Sequence, residues 1–149
     1  MTRHELLVKL KCAAAECEGW EDIQFAYTPS GQAWCGTDPD GRAGIWGNGR
    51  FYIPNYCDDR YHSDRMSLLA TVEAAGDKAI KRYNFTFQEL ALWLKFPNGT
   101  DWQRAKFSHW TAPAWTIVLC AVEALGKLEG MTIMDAARIL KEDTDDESE

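Results

Sequence analysis

The stretch Ile23–Ile53, IQFAYTPSGQAWCGTDPDGRAGIWGNGRFYI, decides the fold because apolar and polar residues alternate in it between closely spaced turn signals. Alternation with a period of two is typical of half-buried β-strands, which send successive side chains to opposite faces of a sheet. Turns rich in Gly, Pro, Asn and Asp join the alternating runs, so consecutive strands are expected to pair antiparallel as a meander. The pattern predicts four short strands, at 23–27, 33–36, 43–46 and 51–53.

Four segments outside this stretch have the apolar spacing of amphipathic helices. They lie at 4–17, 60–75, 111–128 and 132–141. Thr2 and Glu5 have the spacing of a capping box before the first helix, and Thr111 is placed to cap the third. The third segment is apolar nearly all round, which indicates the most buried helix. The sequence therefore predicts an α+β fold, an antiparallel β-meander sheet with three to four helices packed on it, similar to an α/β/α sandwich.

Residues 78–110 fit two different structures. A strand is indicated by five residues at every second position: Ala79, Lys81, Tyr83, Phe85 and Phe87. Thr86 and Glu89 have instead the spacing of a helix cap, for a short helix that ends at Leu94. Further along the chain, the segment Trp102–Trp110 favours another strand. Both structures stay open at this point.

The chain has 149 residues, the usual size of one domain, and its charge is unevenly distributed. The last eight residues, 142–149, contain six acids and no base, and removing those charges from the net −7 leaves −1. We therefore predict one globular domain at 1–141, followed by a disordered acidic tail at 142–149. The nearly neutral body lacks the basic excess of a general duplex-DNA binder.

The five cysteines are odd in number, and none has the CxxC spacing of a zinc ligand pair. This pattern predicts free thiols in a reducing compartment, with no metal and no other cofactor. The first residues lack the apolar core of a signal peptide, and no apolar run reaches the length of a membrane span. We therefore expect a cytoplasmic protein without a membrane partner.

The densest polar cluster lies where the second helix begins and comprises Asp58, Asp59, His62 and Asp64. Asp58 and His62 are four residues apart and would share one helical face. Together with Asp38 or Asp40 they have the ligand types for a divalent ion and for acid–base chemistry, as in a small metal-dependent hydrolase. The alternative is that Asp58 and Asp59 are helix caps favoured by the helix dipole. Because the sequence has neither a Walker motif nor a GxSxG motif, we expect no catalytic residues.

Aromatic residues are dense around the meander, and strand alternation sends only some of them into the core. Exposed aromatics on loops and strand edges can anchor a partner protein. The predicted binding surface comprises Trp34, Trp46, Tyr52 and Tyr56 with Asp59 and His62. A second aromatic group is interleaved with basic residues, a composition that suits a nucleotide or RNA. It comprises Trp102, Phe107, His109 and Trp110 beside Lys95, Arg104 and Lys106.

Three short motifs carry a family resemblance. An early helix ends in Gly19-Trp20, and the strand-rich centre ends in Ile53-Pro54-Asn55-Tyr56 before an Asp-led helix. A closing helix opens with Thr111-Ala112-Pro113-Ala114 and runs through the sequence LCAVEAL. Over roughly residues 5–128 the chain resembles the phage alpha-beta-alpha (ABA) sandwich domain family of small phage accessory proteins. The resemblance implies a phage protein whose helices pack on a sheet. That family has no assigned activity, so the resemblance gives no residue a role.

These observations favour a non-catalytic phage accessory protein that binds a host protein, for example an anti-phage defence complex such as CRISPR. The small size, the surplus of aromatic residues and the lack of a catalytic motif point to binding, and the phage setting comes from the resemblance. One alternative is a protein that sequesters a small nucleotide used as a defence signal. The other is the metal-dependent hydrolase.

Overall fold

The structure is a computed structural model that describes residues 1–28, 31–40, 50–60, 62–94 and 113–147. These residues form five helices and three strands. The helices are α1 Arg3–Cys17, α2 His62–Ala75, α3 Asp77–Leu94, α4 Ala114–Ala124 and α5 Ile133–Glu147, and the strands are β1 Glu21–Thr28, β2 Gly31–Thr37 and β3 Arg50–Tyr52. Helices and an antiparallel sheet occupy separate parts of the sequence, so the predicted α+β class is confirmed.

The three strands form one antiparallel sheet in the order β1-β2-β3, the topology of a meander. The predicted strands at 23–27, 33–36 and 51–53 are confirmed within one to two residues at their ends. The predicted strand at 43–46 lies outside the described residues. In the register of the sheet, Phe25 lies opposite Trp34, and Cys35 lies opposite Tyr52.

A β-bulge bends β1 near its start. Glu21 pairs with Thr37 and Gln24 pairs with Cys35, so two residues of β1 lie opposite the single residue Gly36. Asp22, one of the two bulged residues, has a φ of 52°, in the left-handed region that Asp tolerates better than most residues. At Gly36 a Cβ atom would lie 2.8 Å from the backbone oxygen of Glu21, so only glycine fits opposite the bulge.

The core is built mainly from helices and is centred on α4. All nine residues Ala114–Val122 are buried, and α4 packs against α1, α2, α3 and α5. This confirms the prediction that the third predicted helix is the most buried one, although it ends at Ala124 instead of residue 128. The sheet reaches the core through Ile53, just after β3, and through the partly buried Ile23 and Trp34. Three aromatics of the sheet, Phe25, Tyr27 and Tyr52, are left exposed.

The open question at residues 78–94 is resolved as one long helix, α3, so the strand interpretation is wrong there. Its buried residues recur every three to four positions: Ala79, Tyr83, Thr86, Phe87, Leu90 and Ala91. Phe85 suggested a strand because it extends the alternation, but it is 57% exposed on the outer face of the helix. The predicted strand at Trp102–Trp110 lies outside the described residues.

The last helix extends further than its sequence pattern predicts. The predicted end was Lys141, whereas α5 continues to Glu147, because the intervening residues include no Gly or Pro to stop it. The division into a domain at 1–141 and an acidic tail at 142–149 stays a prediction. Within the described residues, every helix is too short or too polar to traverse a lipid bilayer.

Candidate functional site

An open groove of about 1070 Å³ runs between helix α1 and the β1–β2 hairpin. Residues 55–59, which connect β3 to α2, complete its lining. We call it the α1–hairpin groove. The lining residues with aromatic or charged side chains include Glu5, Lys11, Phe25, Trp34, Asp58 and Asp59. The groove thus combines two of the predicted binding residues, Trp34 and Asp59, with residues of α1 that the sequence pattern did not single out.

Two aromatic rings form the sheet side of the groove. Phe25 and Trp34 lie directly opposite each other on neighbouring strands, and their ring centroids are 5.4 Å apart with an angle of 41° between the planes. Trp34 is half-buried against the core, whereas Phe25 is 54% exposed. Tyr27, two residues further along β1, is 83% exposed. Because strand residues two apart share a face, the three aromatics form one stripe.

The helix side of the groove carries charged side chains. Lys11 donates a hydrogen bond through Nζ to Oδ1 of Asn55 at 3.2 Å, which ties α1 to the loop after β3. Burial lowers the pKa of the Lys11 amino group. The carboxylate of Glu5 has no partner among the described residues, although its backbone N–H is bonded to Thr2 Oγ1. Glu5 is therefore free to meet a ligand.

Asp59 caps a helix, as the alternative interpretation expects, but the helix is α4 and not the second predicted helix. Its Oδ1 accepts a hydrogen bond from the backbone N–H of Ala114 at 2.8 Å, 55 residues further along the chain. The first amides of a helix have no partner within the helix, and a negative charge near them is favourable. Pro113, at the N-cap position of α4, makes no side-chain cap bond. Asp59, a lining residue of the groove, therefore supplies the cap of the core helix.

The carboxylate of Asp58 binds Arg60, two residues further along the same loop. Its Oδ1 accepts a hydrogen bond from the backbone N–H of Arg60 at 2.9 Å, and its Oδ2 lies 2.8 Å from Nη2 of Arg60. The hydrogen bonds from Arg60 lower the pKa of Asp58 to about 2. Asp58 is thus an ionised turn residue and does not cap α2, contrary to the prediction.

The side chain of Arg65 binds the backbone of the same loop, a role that the sequence did not predict. Its side chain is almost fully buried, and its guanidinium donates to the backbone oxygens of Tyr56 at 3.2 Å, Asp58 at 2.5 Å and Asp59 at 3.3 Å. Such bonds to carbonyl oxygens compensate a buried cation for its lost hydration. The available signal was helical spacing, since Arg65 shares a face with the buried Leu68, Leu69 and Val72.

The sequence predicts that Tyr56 is an exposed binding residue, and the predicted exposure is contradicted by the structure. The side chain is completely buried, and its hydroxyl donates a hydrogen bond to the Glu18 carboxylate. Ser67 Oγ donates to the other oxygen of that carboxylate. Burial and the bond to Glu18 raise the pKa of Tyr56 far above its ordinary range. Tyr56 lies beyond β3, where strand alternation no longer decides which side chains are exposed.

The remaining predicted site residues are Tyr52, His62 and Trp46. Tyr52 is 39% exposed, and it pairs with Cys35, whose side chain lies on the opposite face of β2 from that of Trp34. His62 is the first residue of α2. Trp46 and the second aromatic and basic group at 95–110 lie outside the described residues. The structure therefore brings Trp34 and Asp59 together at one groove and leaves Tyr52 away from it.

Metal and thiol chemistry find little support in the described part of the chain. Within it, no group of three or more His, Cys, Asp and Glu residues is arranged to hold a metal ion. All five cysteines are free, as predicted. Cys57 lines the groove, but burial raises its pKa to about 12, which keeps it a thiol near neutral pH.

Comparisons of the chain with protein-family models, with curated proteins and with solved structures found no match. The resemblance to phage ABA sandwich domains therefore stays a prediction.

Proposed function

We propose that this protein acts by binding another protein, a segment of which occupies the α1–hairpin groove. The observation that carries the proposal is the tilted pair of aromatic rings, Phe25 and Trp34, in the same groove as Glu5, whose carboxylate has no partner among the described residues. Contiguous exposed aromatics are uncommon on a monomer surface and mark interaction sites. Rigid aromatic side chains also supply a large contact area at a small cost in conformational entropy.

The groove favours a partner segment that carries Lys or Arg. Glu5 on α1 and Asp59 in the loop after β3 both place negative charge in the lining of the groove, and Lys11 is already bonded to Asn55. A cationic side chain of the partner would lie over the Phe25 or Trp34 ring while its charged group approaches Glu5. Cation–π contact and charge complementarity would then act together.

The proposed setting is that of a phage accessory protein in the cytoplasm of a bacterial host, and it rests on the resemblance in the sequence. A host protein is then the natural partner, and a component of an anti-phage defence complex such as CRISPR is the class we propose. No catalytic step is part of this proposal. Sequestration of a small nucleotide remains the alternative for the experiment to detect.

The test is capture of partners from bacterial lysate by the immobilised full chain, with wild type, Phe25→Glu and Glu5→Lys compared in parallel. Phe85→Glu is the matched control, because Phe85 is 57% exposed on α3, close to the 54% of Phe25, and does not line the groove. The proposal expects one protein that wild type and Phe85→Glu both capture and that neither Phe25→Glu nor Glu5→Lys captures.

Two results would contradict the proposal. A partner that the groove variants bind as well as wild type places the interaction elsewhere on the molecule. A nucleotide released by heat from the purified chain, with no protein partner captured, favours the sequestration alternative.

A further inference from the structure

Strand β1 is an edge strand of the described sheet, and the direction of its free backbone groups follows from the ladder. The backbone N–H of Ile53 donates to the backbone oxygen of Trp34 at 3.2 Å, so the polar backbone groups of Trp34 point towards β3. Successive residues of a strand direct these groups to opposite sides. Ala33 and Cys35 therefore point towards β1, where they pair with Ala26 and Gln24.

The N–H and C=O groups of Phe25 and Tyr27 accordingly point away from β2. Among the described residues none pairs with this edge of the sheet, whose order is β1-β2-β3. The run from Ile23 to Thr28 contains no charged residue, no Pro and no Gly. Natural sheets protect their edges with charges, prolines or bulges, because an unprotected edge is a template for another strand. β1 has such protection only at its first residues, where the bulge lies.

We propose that this edge pairs antiparallel with β1 of a second copy of the chain, centred on Ala26. In this register Phe25 lies opposite Tyr27 of the partner subunit, and Tyr27 opposite Phe25 of the partner subunit. Both are hydrogen-bonded positions, so the pairing adds about four backbone hydrogen bonds. The result is one continuous six-stranded sheet in place of two three-stranded ones.

The second copy suits this edge because the pairing is self-complementary. Facing aromatic residues on one side of a sheet stabilise strand pairing, and Phe25 and Tyr27 are the two exposed aromatics of β1. The acidic residues Glu21 and Asp22 lie outside the paired stretch, so like charges do not face each other. A pairing of five residues buries less than a standard interface, and we expect a weak dimer that depends on concentration.

The test is the weight-average mass of the full chain, measured by sedimentation equilibrium over a concentration series. Wild type is expected to rise from the chain mass of 16.9 kDa towards twice that value. Tyr27→Pro removes an N–H that points to the free edge and leaves the β1–β2 bonds intact, a position where edge strands accept proline. We expect it to weaken dimerisation by about tenfold or more at an unchanged thermal midpoint.

Ala26→Pro is the matched control, because its N–H takes part in the β1–β2 ladder, and we expect a lowered thermal midpoint. Tyr27→Lys is the second test variant, which keeps every backbone group and places a charge at the edge. If Tyr27→Pro fails to fold, the mass of the Tyr27→Lys chain tests the proposed dimer in its place. A wild-type chain that stays at 16.9 kDa throughout, or a dimer that Tyr27→Lys leaves unchanged, overturns the proposal.

Discussion

Asp59 and Ala114 are 55 residues apart in the sequence, yet the carboxylate of one accepts the first hydrogen bond of the helix that begins at the other, at 2.8 Å. The contact joins the lining of the α1–hairpin groove to the most buried helix of the fold. Loss of a helix cap typically costs about 0.5–2 kcal/mol. We expect Asp59→Ala to lower the free energy of unfolding by about 1 kcal/mol, measured by urea denaturation.

Asp58→Ala is the control for this prediction. Asp58 is paired with Arg60 at the surface, and exposed ion pairs contribute little to stability. The neighbouring substitution should therefore change the free energy of unfolding much less than Asp59→Ala does. Equal losses in the two variants would show that the bond to Ala114 does not stabilise α4.

The second prediction separates a core role from a binding role for Tyr56. Tyr56→Phe removes the hydroxyl bonded to Glu18 and leaves a half-buried acceptor with one partner fewer, at a cost of about 1 kcal/mol. Tyr56→Ala empties a fully buried site and should cost about 3–5 kcal/mol. Thermal and urea unfolding measure both. A Tyr56→Ala chain of wild-type stability would show that this side chain is exposed and not part of the core.

The meander and the helices could be predicted from the sequence because they depend on local patterns. Ile23, Phe25 and Tyr27 alternate as a half-buried strand does, and the apolar run after Pro113 has no polar face. The same alternation misled at α3, where Phe85 is an exposed aromatic on a helix. A single exposed apolar residue is enough to turn a helical period into an apparent strand period.

The groove could be predicted only in part, because its contacts join residues that are distant in the sequence. Trp34 and Asp59 were found from aromatic density and charge. The cap that Asp59 gives to Ala114, and the loop held by Arg65, depend on how α2 and α4 pack. Glu5 and Lys11 belong to a helix whose pattern shows only which face is buried.

The third prediction concerns the buried face of α4. Leu119 is completely buried, and Leu119→Ala should cost about 2–5 kcal/mol. Leu125 follows the last residue of the helix and is only partly buried, so Leu125→Ala should cost less than half as much. Urea denaturation of both variants measures the difference. If Leu125→Ala is the more damaging of the two, the end of α4 lies further along the chain.

The fourth prediction uses the lowered pKa of Asp58. Hydrogen bonds from Arg60 hold this pKa at about 2 instead of 3.8, so the carboxylate stays ionised in the folded chain at a pH where it would protonate when unfolded. What the pairing adds to stability is therefore present above pH 3.8 and is lost as the pH falls towards 2. An NMR titration of the carboxyl carbon should give a midpoint near 2, and Arg60→Ala should raise it towards 3.8. An unchanged midpoint in Arg60→Ala would show that the guanidinium does not cause the shift and would leave it to the backbone N–H of residue 60, which the variant retains.

The last prediction concerns Gly36, opposite the bulge of β1. A Cβ atom at this position would lie 2.8 Å from the backbone oxygen of Glu21 and 3.3 Å from Cγ1 of Ile23. The first contact is with backbone, which cannot rotate away as a flexible side chain does, so Gly36→Ala must displace β1 or flatten its bulge. We expect a loss of about 1–3 kcal/mol in urea denaturation, the usual cost of overpacking. Because β1 also carries Phe25, the displacement should weaken the binding of any ligand to the groove. Ala26→Ser, on β1 but away from the bulge and outside the groove lining, is the control and should leave both properties near wild type. A Gly36→Ala chain with wild-type stability would mean that the bulge relaxes without cost, and that the position of Phe25 does not depend on it.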